Sequence, residues 1–113
     1  MAETIVDESA LTRLVQALVD ALHPEKIILF GSAARGHAGP DSDIDLFVQV
    51  PSGADASEAA RRGYAAIRPL RPILPRGVDI VVRDRAFVER YGDLVGSIVP
   101  SVKRDGKVLY DRT

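Results

Sequence analysis

Cysteine and tryptophan are absent from the 113 residues, and methionine occurs once. Without cysteine there are no disulfides, no thiolate metal ligands and no thiol nucleophile, and the redox compartment stays open. Aromatic residues are only 5% of the chain. An excess of charge of either sign is also missing: fifteen basic residues stand against sixteen acidic ones, a net charge of -1. That balance excludes the broad cationic face of a protein that tracks nucleic-acid phosphates, and no direct nucleic-acid binding is expected. A small anion such as a nucleotide needs only a local site and stays open. No apolar run approaches the roughly 18 residues of a membrane span. The opening MAETIVDESA is acidic where a signal peptide is basic. What is present, 46% hydrophobic and 27% charged residues, is the balance of a globular chain. The expectation is one cytoplasmic domain over residues 1–113, with no membrane contact and a self-standing core.

Leu11, Leu14, Val15, Leu18, Val19 and Leu22 recur at helical spacing and predict a helix over 9–22. Ser9 or Asp7 suits its cap, and His23-Pro24 ends it. The β-branched and aromatic run Lys26 to Phe30 reads as a buried strand. Ile44 to Val50 reads as a second, with Ile44, Leu46 and Val48 on one face and Asp43, Asp45, Phe47 and Gln49 on the other. Between them, Gly31 to Asp43 is loop with a helical turn at most.

Asp55 or Ser57 caps a helix whose small-residue face, Ala56, Ala59, Ala60 and Gly63 with Tyr64 and Ile67, allows close approach to a sheet. The three prolines within 68–76 end it. Val78 to Val82 predicts a third strand. Asp84 caps a short helix to Tyr91, and Leu94, Val95, Ile98, Val99 and Val102 suggest one more, interrupted at Pro100. Lys107 to Tyr110 suits a terminal strand. The fold class is therefore α/β, a small mixed sheet flanked by helices.

The chemistry gathers in one constellation. The first strand runs into Gly31-Ser32, a corner whose backbone N–H groups and hydroxyl can cradle an anion. Asp43 and Asp45, two apart on a strand, share one face about 6.8 Å apart along the chain. Two carboxylates about 5 Å apart repel by on the order of 3 kcal/mol at an effective dielectric near 20. A divalent cation between them relieves this, and hard oxygen donors favour Mg²⁺ or Mn²⁺ with substrate phosphates completing the shell. Asp79 interrupts the apolar run Val78 to Val82, a costly place for a carboxylate unless it is paired, metal-bound or at a wet edge. A strand neighbouring the second would bring Asp79 to the other two.

Residues 31–48, GSAARGHAGPDSDIDLFV, read Gly-Ser, ten residues, Asp-x-Asp. With Leu29-Phe30 before it, the Ala34-Arg35-Gly36 step and the Gly77-Val78-Asp79 block, the chain resembles the minimal nucleotidyltransferase family of the DNA polymerase beta-like superfamily. The resemblance implies that superfamily's fold, with Asp43, Asp45 and Asp79 as catalytic carboxylates holding two metal ions, Mg²⁺ or Mn²⁺. It implies that Gly31 and Ser32 hold the β- and γ-phosphates of ATP or another nucleoside triphosphate. Arg35 either touches the phosphates or pins the loop to a carboxylate, and His37 lies in the same loop. Larger relatives carry a second domain that recognises the acceptor, so a partner protein is expected to complete the site. Such chains are commonly encoded beside helical HEPN proteins as antitoxin and toxin. The HEPN signature, Arg, four residues, His, one residue, Tyr, is absent here, which assigns this chain the antitoxin role. The resemblance then implies transfer of AMP from ATP to a tyrosine of the partner. Transfer to a small molecule, as in aminoglycoside-modifying relatives, and neutralisation by binding alone are the alternatives.

Overall fold

A computed structural model describes residues 8–31, 44–74, 77–92, 102, 104 and 106–112. Helix α1 (Glu8–Leu22) leads into strand β1 (Lys26–Phe30), and β2 (Ile44–Val50) follows. Helix α2 (Ala56–Ile67) continues as a 3₁₀ segment, Arg68–Ile73, before β3 (Val78–Asp84), α3 (Arg85–Tyr91) and β4 (Lys107–Asp111). The four strands form one sheet in the order β3-β2-β1-β4. β1 is antiparallel to both β2 and β4, while β2 and β3 are parallel, joined through α2. This is the mixed α/β sheet that the sequence predicts.

Alternation along the strands separates two layers. Ile27 and Leu29 of β1, Ile44, Leu46 and Val48 of β2, and Ile80 and Val82 of β3 pack against Leu14, Leu18 and Leu22 of α1 and Ala59 and Ile67 of α2. Gly63 permits the close approach: a Cβ there would stand 3.4 Å from Leu18 and Leu22. The opposite face carries a smaller cluster in which Phe47 and Val102 are buried among Ile28, Phe30, Val81, Phe87 and Val88.

Local signals set the boundaries. Asp55 caps α2 by accepting a hydrogen bond from the Glu58 N–H, and Asp84 caps α3 by accepting one from that of Phe87. α1 starts at Glu8, which puts Ser9 inside its first turn rather than at the cap. Its end is an αL closure: His23 has φ 47°, and its N–H donates to the Val19 carbonyl at 2.9 Å. Pro69 and Pro72 turn the end of α2 into the 3₁₀ segment, whose i→i+3 bonding tolerates them better than an α-helix interior. β3 is an edge strand, and Tyr64 of α2 covers part of its open backbone. The Tyr64 hydroxyl accepts from the Ile80 N–H at 2.9 Å and donates to the Ile80 carbonyl at 3.4 Å. Of the later apolar series, Leu94, Val95, Ile98 and Val99 lie outside the described residues, and Val102 is buried.

Candidate active site

The strand registers build the site row by row. Phe30 of β1 pairs with Asp45 of β2, and Asp45 pairs with Asp79 of β3. Register partners on adjacent strands share a face with Cα atoms about 5 Å apart. One row across three strands is therefore Phe30, Asp45, Asp79. The row below is Ile28, Phe47, Val81, the apolar floor of the smaller cluster. Two carboxylates thus stand side by side above a dry layer, at the end of the sheet where β1 finishes and β2 and β3 begin. A backbone hydrogen bond from the Ile44 N–H to the Gly77 carbonyl, 2.8 Å, pins the starts of β2 and β3 together and fixes this register.

Asp45 is half-buried and Asp79 is exposed. The difference follows from position: Asp45 sits on an inner strand between two neighbours, Asp79 on the sheet's edge. An edge position also explains how an aspartate is tolerated within Val78 to Val82.

Gly31 closes the corner. It follows β1 directly and adopts φ +76°, in the left-handed region where a side chain is strained. A Cβ added there would lie 2.5 Å from Oδ2 of Asp45, nearer than real Cβ atoms approach an oxygen. Glycine is therefore required on two counts, backbone conformation and contact with a site carboxylate. The structure brings Gly31, Asp45 and Asp79 together. Asp43, Ser32, Arg35 and His37 lie outside the described residues.

The donors that Asp45 and Asp79 bring here are hard carboxylate oxygens, a kind suited to Mg²⁺ or Mn²⁺. No group of three metal-ligating side chains occurs among the described residues. Asp45 and Asp79 are the two of the three candidate carboxylates that fall among the described residues. Phe30 and Gly77 stand in the sequence motifs, but their roles do not: Phe30 walls the row on the β1 side and the Gly77 carbonyl sets the register, which emerges only once the strand order is known. Among the described residues, no helix is long and apolar enough to cross a membrane.

Comparison with known proteins agrees with this architecture. No curated protein matches the chain in sequence. A crystal structure of a toxin–antitoxin with AMP-PNP superposes with a TM-score of 0.61 at 25% identity, covering 88% of this chain and 72% of that one. A Sulfolobus solfataricus protein described as a nucleotidyltransferase gives 0.57 at 21% identity, over 93% of this chain and 86% of that one. A mutant of the toxin–antitoxin pair MntA–HpeT gives 0.56 at 22% identity, over 93% and 73%. The profile of the nucleotidyltransferase domain matches residues 11–105, from α1 past the last helical residues, and so contains the whole carboxylate row. This chain belongs to the nucleotidyltransferase domain family.

Proposed function

We propose that the chain is a metal-dependent protein adenylyltransferase that moves AMP from ATP to a hydroxyl, a tyrosine of a helical HEPN toxin, and so acts as its antitoxin. The observation that carries the reading is the placement of Asp45 and Asp79 in one register on adjacent parallel strands, with Gly31 against Asp45. The similarity to a toxin–antitoxin structure with AMP-PNP supports the antitoxin role and the nucleotide.

In this reading Asp43, Asp45 and Asp79 hold the divalent cations. Mg²⁺ or Mn²⁺ bound there lowers the pKa of the attacking hydroxyl and neutralises charge on the leaving pyrophosphate. The chain's own groups do the positioning. The backbone at Gly31 and the Ser32 hydroxyl hold the β- and γ-phosphates, and Arg35 adds positive charge to the same loop. Asp79, exposed at the sheet edge, meets the acceptor and takes its proton as the oxygen attacks the α-phosphorus. The bond from that phosphorus to the bridging oxygen breaks, and pyrophosphate departs.

The test incubates this chain with the protein encoded beside it, ATP and Mg²⁺, and measures the partner's intact mass. A gain of one adenylyl group, lost with EDTA and reduced about a hundredfold or more in Asp45→Asn, is expected. An unchanged mass overturns transfer to that protein. Full neutralisation of the partner by Asp45→Asn shows instead that binding alone suffices.

A further inference from the structure

Beside the carboxylate row, on the other face of the same edge strand, lies an open pocket of about 560 Å³. Its floor is apolar, Ile67, Leu74 and Val78, and its rim carries Tyr64, Arg68 and Arg71. Both arginines are exposed, and neither has an ion-pair partner among the described residues. They lie three apart on the 3₁₀ segment, where i and i+3 side chains eclipse, so the two guanidinia share one side. Between Glu58 and Leu74 the chain carries four arginines against one glutamate, although the whole molecule is nearly neutral. Arg61 is paired with that glutamate, which leaves the local charge strongly positive. Tyr64 and Ile73 are two of the three exposed large hydrophobic residues among those described. The Tyr64 ring is held in place by its hydroxyl contacts to Ile80, so its exposed face is pre-positioned.

The geometry points to this pocket as the docking subsite for the acceptor: an acidic protein segment with an apolar anchor that fills the pocket while its carboxylates meet Arg68 and Arg71. The inference rests on the reading that the acceptor is a protein hydroxyl. Location supports it, because Gly77 and Val78 line the pocket and Asp79 is the next residue. A segment seated there and passing over the edge of β3 arrives at the carboxylate row without crossing the sheet. Charge complementarity selects an acidic partner. The apolar floor and the near-zero net charge of the whole chain favour a protein over a nucleic acid.

The experiment measures affinity for the protein encoded beside this chain by calorimetry, and adenylyl transfer by intact mass. Arg68→Glu with Arg71→Glu should weaken the complex by about tenfold or more and flatten its salt dependence. ATP affinity should stay unchanged, and the acceptor KM should rise more than kcat falls. The milder Arg68→Gln with Arg71→Gln should shift affinity the same way by less, and it serves if charge reversal impairs folding. A wild-type complex that the reversal weakens, but that transfers no AMP, supports the subsite while removing the transferase reading. Wild-type affinity in both variants overturns the subsite, as does the absence of any complex. Arginine-dependent binding of a short RNA in place of the protein overturns it equally.

Discussion

An alanine at Gly31 meets two obstacles at once: a left-handed backbone that a side chain strains, and the Asp45 carboxylate 2.5 Å from the new Cβ. Gly53 separates them. Its φ is +87°, but nothing lies within 4 Å of the Cβ position. Gly53→Ala should therefore cost about 1–2 kcal/mol of backbone strain and leave transfer activity as it was. Gly31→Ala should lose comparable stability and, in addition, at least about tenfold in transfer, because the corner must open to admit the methyl group. Chemical denaturation and the adenylyl-transfer assay on both variants check this; equal activity in the two would mean that the contact with Asp45 does not matter. The carboxylates divide in the same way. Asp79 is exposed, and if it serves the acceptor as proposed, its change to Asn should lower kcat more than ATP affinity.

The elements show what periodicity reveals and what it hides. β1 and β2 run over the ranges predicted for them, because five and seven residues rich in β-branched and aromatic side chains leave few other options. The cap at Asp84 was legible and that of α2 was narrowed to Asp55 or Ser57, because a short acceptor just before a helix readily takes its free N–H groups; the structure selects Asp55. The second face of β2 was not. Alternation places Phe47 and Gln49 beside Asp45 but says nothing of a covering layer, and both are buried. Phe47 lies under Val102 and α3, and Gln49 donates to Glu25 at 2.9 Å; these partners are 24 or more residues away in sequence. Of the site, the grouping of Asp45 with Asp79 was legible only on the condition that their strands are neighbours, which the parallel register supplies. Asp84 carries a further consequence. It accepts from the Gly53 N–H and the Phe87 N–H, each at 3.0 Å, and so ties the turn after β2 to the start of α3. These bonds, that from Gly53 first, hold its pKa below the usual 3.8. A lowered carboxylate pKa stabilises the fold above the unfolded-state value and ceases to as pH falls through the folded one. Asp84→Asn should therefore be less stable than wild type at pH 7, with a gap in Tm that closes below about pH 4. A gap independent of pH would refute that account.

At the scale of the whole molecule, the two ends of the sheet have separate tasks. One end holds Gly31, Asp45 and Asp79 with the arginine-rimmed pocket alongside. The other is a polar tie about a buried carboxylate. Glu25 is 7% exposed, and its side chain accepts from Gln49 Nε2 and from an Arg85 guanidinium N–H, both at 2.9 Å. Its backbone joins the same end together, the N–H donating to Gln49 and the carbonyl accepting from Arg112. Arg112 also donates from its guanidinium to the carbonyls of His23 and Pro24, so the end of β4 closes over the end of α1. Sequence alone marks Arg85 as a solvated arginine, since nothing local announces a partner 60 residues away. Half its side chain is indeed in water, but the rest completes the hydrogen bonding of a carboxylate that water does not reach freely. Among the described residues, removing the arginine leaves that carboxylate with Gln49 as its remaining side-chain donor, which should cost about 1–3 kcal/mol. Arg85→Ala should accordingly lower the denaturation midpoint without changing the slope. Because β2 spans the distance from Gln49 to Asp45, the tie and the carboxylate row lie about 13 Å apart along one strand. Adenylyl transfer per folded molecule should therefore match wild type at 25 °C and fail only at temperatures where the variant unfolds. A variant fully folded by circular dichroism yet slow in transfer would show that the tie sets the register of Asp45 and Asp79, and would join the two ends into one functional unit.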